Sequence, residues 1–201
     1  RQVVGVHGPG GRVPVLLDAA LALGTGGPPA PHVGVEGMEG GVRPGDAGLD
    51  LGSGSGILSI PALRLGAKSA IGVDIDPKAE DIARENAAYN GFSAPAFTAL
   101  TGNVTADTAL MERLAAGSYR VVLVNIVADV IIALAPVLPR FLQTDTRLIC
   151  SGILSERLPE VVAALEQAGL TVAEFRAIEE WRCVIGGRVP VLLFLIVPGR
   201  C

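Results

Sequence analysis

The sequence predicts a doubly wound, Rossmann-like α/β fold. Three observations carry that prediction. From residue 47 onward, short apolar runs alternate with longer segments of helical composition. The runs are apolar throughout rather than at alternate positions, the pattern of strands buried on both faces of a largely parallel sheet. A glycine-rich loop closes the first run, at the end of the sheet where such folds bind ligands.

The chain divides near residue 46. Ahead of that point it reads as a linker-like stub (1–46), and 47–201 reads as the folded domain. Gly8 to Gly11 is a cluster of breakers, Val13 to Leu21 is apolar, and Gly24-Thr25-Gly26 follows. Glycine and proline dominate Gly27 to Asp46. An interior glycine costs a helix about 1 kcal/mol and a proline about 3, so an irregular loop with at most one weak helical turn is expected. Beyond it, Ala47 to Leu51 is the first strand of the sheet. Ile57 to Leu65 is helical in content, with Pro61 too far in to be a first-turn proline. Ala70 to Val73 is a strand. Pro77 to Asn90 is a helix opened by its proline and stopped by Asn90-Gly91. Ala96 to Leu100, Val121 to Val124 and Arg147 to Cys150 are strands. Helices lie over Ala106 to Ala116, after the strand ending at Val124 and up to Leu138, and over Ser155 to Ala168, the last with a serine cap and Gly169 as its stop. Leu170 to Phe175 and part of Cys183 to Val197 complete the sheet. The octapeptide GGRVPVLL occurs twice, at Gly10 to Leu17 and at Gly186 to Leu193. Two copies make no solenoid, although they could pair as strands.

Composition removes several function classes. Half of the 201 residues are apolar and 18% are charged, too apolar for a disordered chain. Sixteen basic against 20 acidic residues give a net charge of −4, with no basic block, so direct nucleic-acid binding by phosphate neutralisation is not expected. The longest apolar run, Val189 to Val197, is interrupted by Pro190 and falls well short of the roughly 18 residues of a membrane span; it reads as a buried strand. Cys150, Cys183 and Cys201 lack the spacing of a zinc site or disulfide scaffold, which fits a reducing, cytoplasmic setting, and no signal peptide is legible. The first residue, Arg1, suggests a fragment or a processed product. His7 and His32 read as loop residues without carboxylates at ligand spacing, and no metal site is expected. Trp181 reads as a packing residue.

The chemistry concentrates in three places. LDLGSGSG, Leu49 to Gly56, has glycines at 52, 54 and 56, where backbone can turn tightly and approach a ligand, and the helix after it offers N–H groups to a polar group. A pyrophosphate loop of the form GxGxxG would need its third glycine at position 57, which is Ile57. The spacing suits a nucleoside without phosphates, as in S-adenosylmethionine, and disfavours a nicotinamide dinucleotide. Asp74, in GVDIDP, ends the second strand about 20 residues beyond the loop, where an acid accepts hydrogen bonds from ribose hydroxyls. Asp76, two residues on, reads as an N-cap for the Pro77 helix. Asn125, in LVNIVAD, follows the fourth strand near the switch point of the sheet, where an amide can accept from a substrate N–H and aim the nitrogen at a methyl donor. Gly102-Asn103 could reach the edge of an adenine.

With these residues in place, the chain resembles the PrmA family, methyltransferases of a large-subunit ribosomal protein. The resemblance runs from about Leu17 to Arg188. It rests on LDAALALGTG, LDLGSGSGILSIPALRLGAKSAIGVDIDP, ARENAAYNG, VLVNIVADVIIALAP and LICSGILSER, with EEW near the end. It implies a class I, mostly parallel, seven-stranded fold that uses S-adenosyl-L-methionine to N-methylate lysine side chains and an α-amine of a ribosomal protein. It places cofactor contacts on Gly52, Asp74 and Asn125. Asp50, Ser53, Gly54, Gly56, Ile75 and Asn103 complete the expected cofactor-binding set, and Asn125 is also expected to be catalytic. Family members carry a further N-terminal domain for substrate recognition. The family's GTGTHPTT becomes GTGGPPAP here, putting Pro28 and Pro31 where the family has histidine and a cofactor-contacting threonine. Gly27 to Gly41 is then expected to be a poorly ordered cofactor lid. A non-catalytic S-adenosylmethionine-binding module, or a methyltransferase of another amine, is the competing reading.

Overall fold

The structure is a computed structural model that describes residues 2–8, 11–17 and 29–188. The strands are β1 (Gln2–Gly8), β2 (Gly11–Leu17), β3 (Ala47–Leu51), β4 (Ser69–Asp74), β5 (Phe97–Thr101), β6 (Val121–Asn125), β7 (Arg147–Leu154), β8 (Leu170–Ile178) and β9 (Trp181–Arg188). The helices are α1 (Pro29–Met38), α2 (Ser59–Arg64), α3 (Pro77–Tyr89), α4 (Thr108–Ala115), α5 (Ala128–Leu134) and α6 (Leu158–Gln167). Short 3₁₀ turns occupy Leu138–Phe141 and Ser155–Arg157.

Seven strands form one sheet in the order β5-β4-β3-β6-β7-β9-β8. β3 pairs in parallel with β4 on one side and β6 on the other, and β5 and β7 extend the parallel array. β9 and β8 close the edge antiparallel. The chain direction across the sheet reverses between β3 and β6, so the carboxyl ends of β3, β4 and β6 meet at the switch point.

The all-apolar strands divide their side chains between two cores. Val121, Leu123 and Ile149 point to the face covered by α1, α2 and α3, where Val33, Met38, Leu58, Ile60 and Ala83 are buried. Val122, Val124 and Leu148 point to the face covered by α4, α5 and α6, against Leu114, Ile131, Val161 and Leu165. At about 25 cal/mol per Å² of apolar surface removed from water, burial on both faces is the main force holding the layers.

Three local readings need correction. The irregular stretch expected over Gly27 to Asp46 is a helix over Pro29–Met38, packed on β7, β9 and β8. Its prolines fall at Pro29 and Pro31, in the first turn, where a missing N–H costs nothing. Its glycines are there because the helix lies close to the sheet. A Cβ on Gly34 would sit 2.5 Å from Ser151 Oγ, and one on Gly37 2.9 Å from Cys183 Sγ. The poorly ordered lid is therefore withdrawn for 29–38. Pro61 is a first-turn residue after all, because α2 begins only at Ser59. Ser155 caps no helix; it opens a 3₁₀ turn, and α6 starts at Leu158 without a side-chain cap.

β1 and β2 form a separate antiparallel pair, in register from Gln2 opposite Leu17 to Gly8 opposite Gly11. Asn90, at the end of α3, fastens it to the domain: its Oδ1 accepts from Leu16 N at 3.0 Å and its Nδ2 donates to Leu16 O at 2.7 Å. The first GGRVPVLL copy thus pairs with β1, while the second ends β9 and continues beyond residue 188. His7 lies in β1 and His32 in α1, not in loops; His7 N donates to Glu39 Oε1 at 2.8 Å, and the ring Nδ1 is 3.4 Å from the same oxygen. Gly24 to Gly26, Pro28, Cys201 and the expected strand over Val189 to Val197 lie outside the described residues.

Candidate functional site

The glycine-rich loop follows β3 and is strapped to the end of β4. Gly52 N and Ser53 N both donate to Val73 O, at 2.8 and 3.1 Å; Gly56 N donates to Ser53 O at 2.8 Å. Gly54 N donates to Asp74 Oδ2 at 2.9 Å. Gly52 has φ +74° and Gly54 φ +51°, the left-handed region where glycine is unstrained. A Cβ on Gly52 would lie 2.8 Å from Ile126 Cδ1, whereas around Gly54 the space is open. The amides of 52, 53, 54 and 56 are therefore spent within the protein, and the loop is not a free cradle for phosphate oxygens. This supports, from geometry, the reading that Ile57 gave from spacing.

Asp50 lies beneath the loop. Its Oδ2 accepts from Ser59 N at 3.0 Å and Ser59 Oγ at 2.6 Å, which also uses the first N–H of α2. The N-terminus expected to face a ligand is thus capped from inside by Asp50. Asp50 Oδ1 is buried with no hydrogen-bond partner among the described residues. Burial pushes the carboxyl up to about 7; the Ser59 bonds oppose this and the Asp74 charge adds to it.

Asp74 ends β4 with each oxygen accepting one backbone N–H, Gly54 on Oδ2 and Asp76 on Oδ1. Asp76 caps α3 through Lys78 N at 2.9 Å. Asn103 Oδ1 accepts from Thr105 N and Thr105 Oγ1, so its side chain shapes the loop after β5. Asn125 is the last residue of β6 and pairs in register with Ser151 of β7. Its Oδ1 accepts from Ser151 Oγ at 3.0 Å.

A cavity of about 360 Å³ opens at the switch point, a size within the usual range of small-molecule sites. Gly52, Asp74, Ile75 and Asn103 line it. Ile75 is 71% exposed, an apolar side chain presented to the opening. Asp50, Ser53, Gly54, Gly56 and Asn125 do not line it. Ser53 Oγ turns inward, 2.8 Å from where a Cβ on Gly72 would stand, and Gly56 backs onto Ile60 and Ala83. Sequence reasoning missed the far wall, Ile126, Asp129, Val130 and Leu134. Its signal was present: apolar residues at 126, 130 and 134 stand at helical spacing immediately after Asn125. Ser151 was also missed, because its proximity to Asn125 depends on the β6–β7 register.

Comparison with known proteins agrees with this geometry. The family model of ribosomal protein L11 methyltransferase (PrmA) matches residues 7–188. The chain is 40% identical over 177 residues to the ribosomal protein L11 methyltransferase of Geobacter sulfurreducens, covering 88% of this chain and 55% of that protein. It is 36% identical over 171 residues to that of Exiguobacterium, covering 85% and 52%. The chain spans about half the length of these curated relatives. The crystal structure of a ribosomal protein L11 methylase from Lactobacillus delbrueckii subsp. bulgaricus superposes with a TM-score of 0.76 at 28% identity, over 88% of this chain and 86% of that one. A magnesium protoporphyrin IX methyltransferase from Synechocystis, at 22% identity and TM-score 0.59, covers 78% of this chain and 76% of its own and shares the fold. A seven-stranded class I sheet, a glycine loop that spends its amides internally, and a family match over nearly the whole described chain lead to one assignment: the chain belongs to the S-adenosylmethionine-dependent ribosomal protein L11 methyltransferase family.

Proposed function

We propose that this chain transfers methyl groups from S-adenosyl-L-methionine to amines of a large-subunit ribosomal protein, of the kind its relatives' names specify. The observation that carries the reading is the position of Asn125, a carboxamide at the carboxyl end of β6 directly before Ile126, which lines the cavity at the switch point. The residues present fit the cofactor. The cavity has Asp74 on one wall and, apart from Asn103, Thr105 and Asp129, apolar side chains around the rest, the chemistry that receives a ribose and a flat base without a phosphate. Asp74 keeps a lone pair on each oxygen for hydroxyl donors. Ile75, Val104, Ile126 and Val130 offer the apolar walls. Gly52 lines the cavity with backbone, next to Ile126.

The bound cofactor supplies an electrophilic methyl group on a sulfonium. The protein's task is then positioning and exclusion of water, because transfer to a neutral amine needs little acid–base chemistry. Asn125 Oδ1 accepts from Ser151 and retains a second lone pair, which would receive an N–H of the acceptor amine and so orient its nitrogen. The packed α1 replaces the disorder expected over 29–38, and the family match does not favour a non-catalytic module. Further readings belong to the same proposal: a cytoplasmic setting, and a protein rather than nucleic-acid partner, supported by the net charge of −4. Among the described residues no helix is long and apolar enough to cross a membrane.

Asp74→Ala tests the assignment. It removes the ribose acceptor and also releases Gly54 N. Charge-assisted bonds contribute about 1.5–3 kcal/mol each, so calorimetry should show at least a tenfold loss of cofactor affinity. Unchanged affinity in the folded variant would refute the site.

A further inference from the structure

We infer that Ser151 is a positioning residue for the methyl-transfer site, setting the orientation of the Asn125 carboxamide from the neighbouring strand. The inference rests on the reading of Asn125 as the group that orients the acceptor amine.

The terminal torsion of an asparagine is broad, so a carboxamide at a strand end has no intrinsic orientation. Here one is imposed from β7. Ser151 is completely buried, and its Oγ donates to Asn125 Oδ1 at 3.0 Å. Two features hold the hydroxyl where it is. The β6–β7 register sets Asn125 opposite Ser151, and Ile126 N donates to Ser151 O at 3.2 Å, continuing the ladder one residue past the strand. From the other side α1 presses its backbone onto the hydroxyl at Gly34, where a Cβ would approach Oγ to 2.5 Å. The next residue, Gly152, has φ +79°, and a Cβ there would stand 2.8 Å from Ile126 O and 3.2 Å from Asn125 Oδ1. Only glycine lets the carboxamide oxygen settle against the β7 backbone. Serine and glycine in succession, at the β-bulge of β7, thus make a seat for one carboxamide oxygen. They direct its remaining lone pair and leave Nδ2 outside the contact.

The test uses the 201-residue chain and two readouts. The first is the side-chain amide correlation of Asn125 by proton–nitrogen NMR, identified by its disappearance in Asn125→Ala. The second is methyl transfer to the ribosomal protein, with S-adenosylhomocysteine affinity measured alongside. Ser151→Ala should shift or broaden the Asn125 signals and lower kcat by about tenfold to a hundredfold, the scale of a misplaced reacting group. Cofactor affinity should stay within about threefold, since Ser151 does not line the cavity. Ser151→Thr, which keeps the hydroxyl, should recover both readouts, and Ser151→Ala should add under about twofold to Asn125→Ala because the two act as one unit. Unmoved Asn125 signals in Ser151→Ala, or losses that multiply in the double variant, would overturn the proposal. A large loss in Asn125→Ala beside full turnover in Ser151→Ala would overturn the role of Ser151 alone. Full turnover in Asn125→Ala would remove the reading of Asn125, and the proposal with it.

Discussion

Replacing Asp50 with asparagine should change the pH dependence of stability in a defined direction. Asp50 is buried under the glycine loop, and burial pushes its carboxyl from 3.8 to about 7 despite two bonds from Ser59. Between these values the folded state holds a proton that the unfolded state has released. Stability from this group is therefore greatest below pH 3.8 and falls as pH rises to about 7. The displacement corresponds to about 4 kcal/mol at pH 8. An asparagine would carry no such penalty, but its amide nitrogen would occupy the place of Oδ1, which has no partner. The protonated carboxyl of the parent places one donor there and the amide two, and each unsatisfied buried donor costs about 1–3 kcal/mol. Asp50→Asn should then be less stable than the parent near pH 4 and more stable near pH 8, by about 1–3 kcal/mol in each case. Urea unfolding at both pH values, followed by the fluorescence of the buried Trp181, measures the difference. A difference that stays constant from about pH 4 to pH 8 would refute the account of Asp50 as a buried, proton-holding acid.

The remaining predictions concern packing. Gly37→Ala puts a methyl 2.9 Å from Cys183 Sγ and 3.2 Å from Ile149 Cγ2 in the closed core under α1; it should lower stability by about 1–3 kcal/mol, as overpacking does, although alanine is the better helix former. Thermal unfolding decides, and a stabilised variant would show that α1 can lift from the sheet freely. Asn90→Ala removes both bonds to Leu16, so hydrogen exchange in β2 should quicken while β3 to β7 stay protected. Equal protection of β2 in the variant would show that Val6 and Val15 hold the β1–β2 pair unaided.

The strands of the central sheet were legible because burial on both faces leaves no alternation to misread. Val121 to Val124 is one short apolar run in sequence, and in the structure it feeds both cores in turn. Positions along the chain also located the switch point, since the loop after β3, the acid ending β4 and the amide ending β6 all fall at carboxyl ends of neighbouring strands. The division of labour among those residues was less legible. Asp50 and Asp74 both read as ligand groups, yet one lies under the loop and the other on the cavity wall. Nothing in LDLGSGSG distinguishes them, because the distinction comes from Ser59, just beyond the loop, folding back on Asp50.

α1 shows where single-residue propensity fails and why. Three glycines and two prolines within or beside ten residues argue against a helix when each is taken alone. Their effects are not independent of position. The prolines fall in the first turn, where they break no bond, and Gly40, with φ +72°, terminates the helix from outside. Gly34 and Gly37 are one turn apart and face the sheet, where side chains would strike Ser151, Ile149 and Cys183. The cost of about 1 kcal/mol for each interior glycine is offset by burying Val33, Val35 and Met38 at a separation no larger residue permits. The same close approach brings the backbone of α1 onto Ser151 and, through it, to Asn125. A composition that reads as disorder is, in this position, what allows the helix and the end of β6 to be held against one another.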